Sequence, residues 1–153
     1  VGEIIGEAVR EHNLVPKSEY ADYVTKIMDD CGLQSYHKDR YPHEFSGGQQ
    51  QRTALARILA YEPEILLLDE PFSSLSKELK KEMQELLWSL YEKMQITVVY
   101  VTHNSEDIRH TDTRVAVMND GSVQQIGTIG ELYDKPATPY VSEFLGVPAE
   151  EVC

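Results

Sequence analysis

The sequence predicts an α/β fold in which a helical part precedes a mainly parallel sheet with flanking helices. Three patterns support this prediction. Apolar residues recur at helical spacing through the first third of the chain. A continuous apolar run, a helical segment and a β-branched run then follow one another between residues 65 and 102, as in a βαβ unit. Finally, an Asp-Gly step separates two further β-rich runs. We expect a helical subdomain over residues 1–60 and a sheet-containing part over residues 61–153.

Three helices are expected in the first part. Apolar spacing predicts one from Val1 to about Asn13 and a second after Pro16. Ser18 is the expected N-cap of the second helix, and Gly32 stands where a left-handed C-terminal cap is usual. The third helix follows Ser46-Gly47-Gly48-Gln49, with Ser46 as its N-cap.

A parallel strand pair is expected next. Ile65-Leu66-Leu67-Leu68 is a short continuous apolar run, which predicts a strand buried on both faces. Lys77 to Gln95 repeats apolar residues at helical spacing, and Ile96 to Thr102 is β-branched and apolar. The two strands should therefore lie parallel, because a helix connects them.

The last third of the chain predicts a hairpin and two short helices. Arg114 to Met118 and Ser122 to Ile126 are joined through Asn119-Asp120-Gly121, and Asp-Gly is a strong hairpin signal. Helices are expected around residues 129–133 and 139–145.

Composition excludes several classes of function. The formal net charge of −12 opposes a phosphate backbone, so nucleic-acid binding is disfavoured. Cys31 and Cys153 stand far apart without metal-ligand spacing, which fits a reducing, cytosolic setting rather than a disulfide or zinc scaffold. No apolar run reaches the roughly 18–20 residues that cross a bilayer, so direct membrane insertion is not expected. The chain opens inside a helical pattern without Met, as a piece of a longer protein would.

Two glycines at the start of a helix form the first candidate site. At Ser46-Gly47-Gly48-Gln49, backbone N–H groups can approach an anion because no side chain stands in the way. Phosphate is the ligand that such a helix start favours. The alternative is that Ser46 only caps the helix and the glycines only form a turn.

Strand ends carry the second group of candidates. Asp69 and Glu70 follow the predicted buried strand, where one carboxylate could hold Mg²⁺ and the other could activate water. His103 follows the next parallel strand and should emerge at the same edge, where an imidazole could contact a terminal phosphate. The alternative for all three is a solvated or structural role at a strand end.

Taken in order, four segments resemble the consecutive motifs of the ATP-binding-cassette (ABC) ATPases. They are Phe45-Ser46-Gly47-Gly48-Gln49, Ile65 to Glu70, Pro71-Phe72-Ser73-Ser74-Leu75 and Val101-Thr102-His103. The resemblance implies a partial P-loop NTPase sheet behind the helical subdomain. It also implies nucleotide-binding signature residues at Ser46, Gly47, Gly48 and Gln49. Asp69 would then be the last residue of Walker B and would hold Mg²⁺ through water. Glu70 would be the catalytic carboxylate and His103 the switch histidine.

The tail resembles the end of the ATPase core in solute importers. It contains Gly121 to Gly127, Glu131-Leu132-Tyr133, Pro139-Tyr140 and Phe144-Leu145-Gly146. The resemblance implies a parent that uses ATP and Mg²⁺, pairs head to tail with a second ABC ATPase subunit, and docks transmembrane permease subunits. Such a parent would be a cytoplasmic protein held at the inner face of the cell membrane through the permease.

Three departures from the family pattern stand out. Phe45 replaces the usual Leu, and Ser76 replaces the Asp that normally ends the loop after the catalytic carboxylate. None of the nine glycines is followed by Lys, so the GxxxxGK[ST] phosphate loop, Walker A, is absent. We therefore expect this chain alone to be inactive as an ATPase.

Two other functions compete with the importer. One is a non-transport ABC ATPase of DNA repair or translation, although the long coiled-coil or basic insertions expected there are missing. The other is a catalytically silent, truncated chain that acts only by interaction. Because a parallel strand needs neighbours on both sides, self-association of the chain is a further hypothesis.

Overall fold

The computed structural model describes residues 1–108 and 113–148 of the chain. It contains two compact units, Val1–Val101 and Thr102–Cys153. The described helices are α1 Gly2–Glu11, α2 Tyr20–Asp30, α3 Gly47–Leu59, α4 Lys77–Met94, α5 Ile129–Asp134 and α6 Pro139–Leu145. The strands are β1 Ile65–Asp69, β2 Thr97–Val101, β3 Arg114–Asn119 and β4 Ser122–Thr128. Short 3₁₀ turns occupy Ser35–Asp39, Pro42–Glu44 and Ser105–Asp107. The predicted α/β class is confirmed.

Helix α2 begins one residue later than the sequence suggested. The Glu19 N–H donates to the carbonyl oxygen of Pro16 at 2.9 Å, which closes a turn over the intervening residues. Glu19 is therefore the N-cap, and the prediction of Ser18 in that role is wrong. At the other end, Gly32 has a φ of +70°, so the predicted left-handed cap is confirmed.

One hydrophobic core serves the whole first unit. Side chains from all four helices meet those of the two strands, and the large side chains that are almost fully buried there include Ile5, Val24, Met28, Leu59, Leu66, Met83 and Leu87. Because the helices of residues 1–60 share this core with β1, α4 and β2, the predicted boundary near residue 60 does not separate two cores. A functional division at that point stays a prediction.

Strands β1 and β2 form the expected parallel pair, with Leu67 opposite Val99 and Asp69 opposite Val101. The expectation that β1 is buried on both faces is wrong. Leu66 is 2% exposed, whereas the next residue, Leu67, is 72% exposed. Among the described residues, helices cover only one side of this two-stranded sheet, and alternate side chains of each strand point away from them.

The second unit is a hairpin with two short helices. Strands β3 and β4 pair antiparallel, and Asp120 and Gly121 both have positive φ, as a type I′ turn requires. Thr128 and Glu131 form a capping box that starts α5. A small core joins these elements through Val117, Ile129, Leu132, Val141 and Leu145. Within the described part of the chain, no helix is both long enough and apolar enough to span a bilayer.

Candidate functional site

Helix α3 starts in a capping box, which confirms Ser46 as its N-cap. The Gln49 N–H donates to Ser46 Oγ at 3.4 Å, and the Ser46 N–H donates to Gln49 Oε1 at 3.0 Å. These two bonds give the backbone N–H groups of Ser46 and Gln49 side-chain acceptors. The N–H groups of Gly47 and Gly48 stand in the same first turn, where a helix has no internal acceptors for them. The geometry therefore offers backbone donors to an anion.

The two glycines differ in what surrounds them. A Cβ built on Gly47 would meet nothing within 4 Å, so the approach to this peptide is open. A Cβ on Gly48 would lie 2.7 Å from a methyl group of Leu79. Gly48 is thus needed for the close approach of α3 to α4, while Gly47 leaves the helix start accessible.

The carboxylate pair lies at the carboxyl end of β1. Asp69 is the last residue of the strand, and both Asp69 and Glu70 are exposed. The Glu70 N–H donates to the carbonyl oxygen of Val101 at 2.9 Å, which extends the parallel ladder by one bond. The first unit therefore presents two successive carboxylates from a backbone that the neighbouring strand fixes.

Glu70 adopts a strained backbone conformation. Its φ is +43°, a left-handed value that costs a residue with a side chain about 1–3 kcal/mol. The turn beyond it is anchored, because the Ser73 N–H donates to the Glu70 carbonyl at 3.2 Å and Phe72 is buried in the core. Strain held in place by its surroundings is common at functional positions.

His103 belongs to the second unit and is exposed. Its loop is well bonded: Thr102 Oγ1 donates to Asp107 Oδ2 at 2.6 Å and accepts from the Asn104 N–H at 3.1 Å. The Glu106 N–H in turn donates to Asn104 Oδ1 at 2.9 Å. The backbone on either side of His103 is thus held by side-chain hydrogen bonds.

Comparison with known proteins gives the same family as the motifs. Residues 3–73 match the family described as ABC transporter. The "Sulfate/thiosulfate import ATP-binding protein CysA" of Nitrosomonas europaea is 55% identical over 108 residues, which is 71% of this chain and 30% of that protein. The protein of the same name from Acinetobacter baylyi is 45% identical over 142 residues, 92% of this chain and 40% of that protein. The chain belongs to the ABC transporter ATPases.

A solved ABC ATPase has the same fold. The structure of cbiO1 from Clostridium perfringens, described as part of the ABC transporter complex cbiONQ, matches with a TM-score of 0.72 at 29% identity. The match covers 80% of this chain and 49% of that one. The chain spans 30–40% of the length of the curated relatives named above. Its recognition as an import-type ABC ATPase domain from the sequence motifs is confirmed.

Mg²⁺ at the nucleotide site of an ABC ATPase need not have all its ligands supplied by the protein. Among the described residues, no cluster of three or more His, Cys, Asp or Glu side chains could hold a metal ion. Mg²⁺ at nucleotide sites is bound through one or two carboxylates together with phosphates and waters. The exposed carboxylate of Asp69 at the end of β1 fits that kind of ion.

Two residues of α3 make long-range contacts that the sequence did not predict. The Gln51 Nε2 donates to the carbonyl oxygen of Pro71 at 3.1 Å, and Arg52 Nη1 donates to the carbonyl oxygen of Cys31 at 3.0 Å. Their position directly after Gln49 was the available signal, because Gly48 and Gln51 stand three residues apart and share one face of α3. Helical periodicity alone could not say which backbone they reach.

Proposed function

We propose that this chain is the C-terminal portion of the ATP-hydrolysing subunit of an ABC importer. The observation that carries the proposal is the exposed Asp69-Glu70 pair at the end of a parallel strand. That strand packs in the same hydrophobic core as α3, the helix whose first turn contains two glycines. Family membership supports the use of ATP and Mg²⁺, and the relatives' names support import.

In this proposal Glu70 activates the attacking water, and Asp69 holds the Mg²⁺ shell through water. Mg²⁺ would neutralise charge on the β- and γ-phosphates. Glu70 has a left-handed backbone whereas Asp69 is the last residue of the strand, and this difference in backbone conformation suits two separate tasks. His103 would sense the γ-phosphate, with its loop held by Thr102 and Asn104.

The signature residues act on a second nucleotide in this proposal. Ser46, Gly47, Gly48 and Gln49 would cover the ATP of a second ABC ATPase subunit in a head-to-tail pair. The open approach to Gly47 supports such a contact, since a backbone donor there can meet a phosphate without obstruction.

Transmembrane permease subunits are the proposed membrane partner, contacted through the helical segment before Ser46. The parent would lie at the inner face of the cell membrane. The names of the curated relatives support sulfate or thiosulfate as the solute class. The net charge of −12 argues against the DNA-repair and translation branches of the superfamily.

The central experiment compares the 153-residue chain with its full-length parent. Without a Gly-Lys step the chain should hydrolyse ATP only at background rate, because no lysine and N–H cradle meets the phosphates. The parent should turn over, and Glu70→Gln should lower its kcat by about 10²–10⁴-fold. Turnover by the chain alone that Glu70→Gln abolishes would contradict the proposal for this chain. An inactive parent would favour the silent alternative.

A second experiment addresses the signature assignment. Ser46→Arg in the parent places a bulky cation where the helix start should meet the partner's nucleotide, so transport and ATP-dependent dimerisation should both be lost. Thr53→Ser, a mild change about two turns further along α3, is the matched control. Retention of transport and dimerisation by Ser46→Arg would show that the signature assignment is wrong.

A further inference from the structure

Gln51 connects the signature helix to the segment that carries the catalytic carboxylate of the proposed function. Its side-chain Nε2 donates to the carbonyl oxygen of Pro71 at 3.1 Å, across twenty positions of the sequence. Gln51 lies in α3, the helix that Ser46 caps, and Pro71 directly follows Glu70. The bond therefore joins two motifs that the chain keeps apart.

Because residue 71 is a proline, the hydrogen bond to its carbonyl also restrains the backbone of Glu70. A pyrrolidine ring fixes φ near −65°, so ψ of Pro71 is the one soft torsion left between the Glu70–Pro71 peptide plane and the Pro71 carbonyl. A hydrogen bond to that carbonyl limits this torsion. Holding the Pro71 carbonyl consequently also restricts the peptide plane that carries the Glu70 carbonyl. Glu70 has a left-handed φ of +43°, which only surrounding contacts can maintain.

The other half of the Gln51 amide argues against a role in packing alone. Its Oε1 is buried and has no hydrogen-bond partner among residues 1–108 and 113–148. A buried unpaired acceptor is unfavourable, and an apolar side chain of similar size would avoid it. The hydrogen bond to Pro71 is therefore what the Gln51 amide provides here and an apolar side chain would not.

We infer that Gln51 is a positioning residue that sets the backbone of Glu70 from the signature helix. The inference rests on the proposed function. In a head-to-tail pair, α3 of one chain covers the partner's nucleotide while Glu70 of the same chain serves its own. The bond between Gln51 and Pro71 therefore links the two ATP sites through a single chain, and it should contribute to cooperativity between them.

The experiment uses the full-length parent with Gln51→Leu and the nearly isosteric Gln51→Met, both of which remove the donor. We expect kcat to fall about 10-fold with KM changed less than about twofold, because positioning is lost while nucleotide binding is kept. The Hill coefficient for ATP should fall towards one. A thermal melt of each variant reports whether the fold is intact.

Gln50→Leu is the matched control. Its neighbouring amide donates to the carbonyl oxygens of Pro42 and Phe45 instead, at 3.3 and 3.2 Å. This variant should keep the wild-type Hill coefficient. Wild-type kcat and Hill coefficient in either folded Gln51 variant would overturn the inference, as would equal losses in Gln50→Leu. An inactive wild-type parent, or one insensitive to Glu70→Gln, would instead overturn the proposed function and this inference with it.

Discussion

Arg52 donates a hydrogen bond to the carbonyl oxygen of Cys31 at 3.0 Å and so joins α3 to the end of α2. The same guanidinium forms an ion pair with Glu82 of α4. A Cβ at Gly32 would collide with Arg52 Nη1, so the glycine provides both the left-handed cap and the space for this side chain. Arg52 thus connects three helices of the first unit.

Removing the Arg52 side chain should destabilise the first unit. Arg52→Leu loses a charge-assisted bond to a backbone carbonyl and leaves that carbonyl unpaired, so the free energy of unfolding should fall by about 2–3 kcal/mol. Glu82→Gln is the control. Because Glu82 is 61% exposed, its ion pair should contribute only about 0–1 kcal/mol. Urea denaturation of both variants measures the difference, and equal losses would show that the ion pair, not the bond to Cys31, carries the effect.

The local features of this fold could be read from the sequence because short-range chemistry determines them. Ser46 as N-cap, Gly32 as the left-handed residue that ends α2 and the Asp120-Gly121 turn depend on residues within one helical turn or one hairpin. The parallel pairing of β1 and β2 also followed, since a connecting helix leaves few alternatives.

The features that the sequence did not predict depend on long-range contacts. A run of four aliphatics indicates a buried strand, but exposure of Leu67 depends on which elements cover each face. Likewise, Gln51 could be placed on α3, whereas its bond to Pro71 is set by how α3 packs in the core. The motif order identified the family, and the roles of Asp69, Glu70 and His103 stay predictions.

His37 should make the stability of the first unit sensitive to acid. Its ring is buried, and Nδ1 accepts a hydrogen bond from the Gln34 N–H at 3.0 Å, which requires the neutral form. Burial, and secondarily the charge of Arg40, lowers the pKa of His37 in the folded protein. Stability is therefore fully present above the unfolded pKa of about 6.5 and is lost as the pH falls from there through the lower pKa of the folded state.

His37→Asn tests this prediction because an amide oxygen can accept the same bond without titrating. Thermal unfolding measured at about pH 7.5 and about pH 5.5 should show a smaller loss of Tm for this variant than for the wild type. His43→Asn, at an exposed position in the next 3₁₀ turn, is the control and should retain the wild-type dependence. Identical pH profiles for His37→Asn and the wild type would contradict the assignment.

Cys31 should be unreactive while the first unit is folded. Its side chain is fully buried, and burial, with a smaller contribution from Asp30, raises the pKa of the thiol to about 12. The thiolate is the reacting form, so labelling should be at least about 100-fold slower in native buffer than in denaturant. Cys153→Ser leaves Cys31 as the one thiol of the chain, and mass spectrometry then follows its alkylation. Rapid native labelling would mean that α2 opens locally.

The exposed sheet face should drive association of the isolated chain. This face consists of Ile65, Leu67, Val99 and Val101, and Leu67 is 72% exposed. A contiguous apolar surface beside an unpaired strand edge favours pairing with another chain. Light scattering of the 153-residue chain should therefore report a mass above the monomer that rises with concentration.

A double variant, Leu67→Thr with Val99→Thr, places polar but β-branched residues at the exposed positions of both strands and should shift that equilibrium towards the monomer. Leu66→Ala is the contrasting change. Because Leu66 is 2% exposed, its truncation should cost about 2–5 kcal/mol of stability without relieving association. A wild-type chain that stays monomeric at all concentrations would contradict the role of this face.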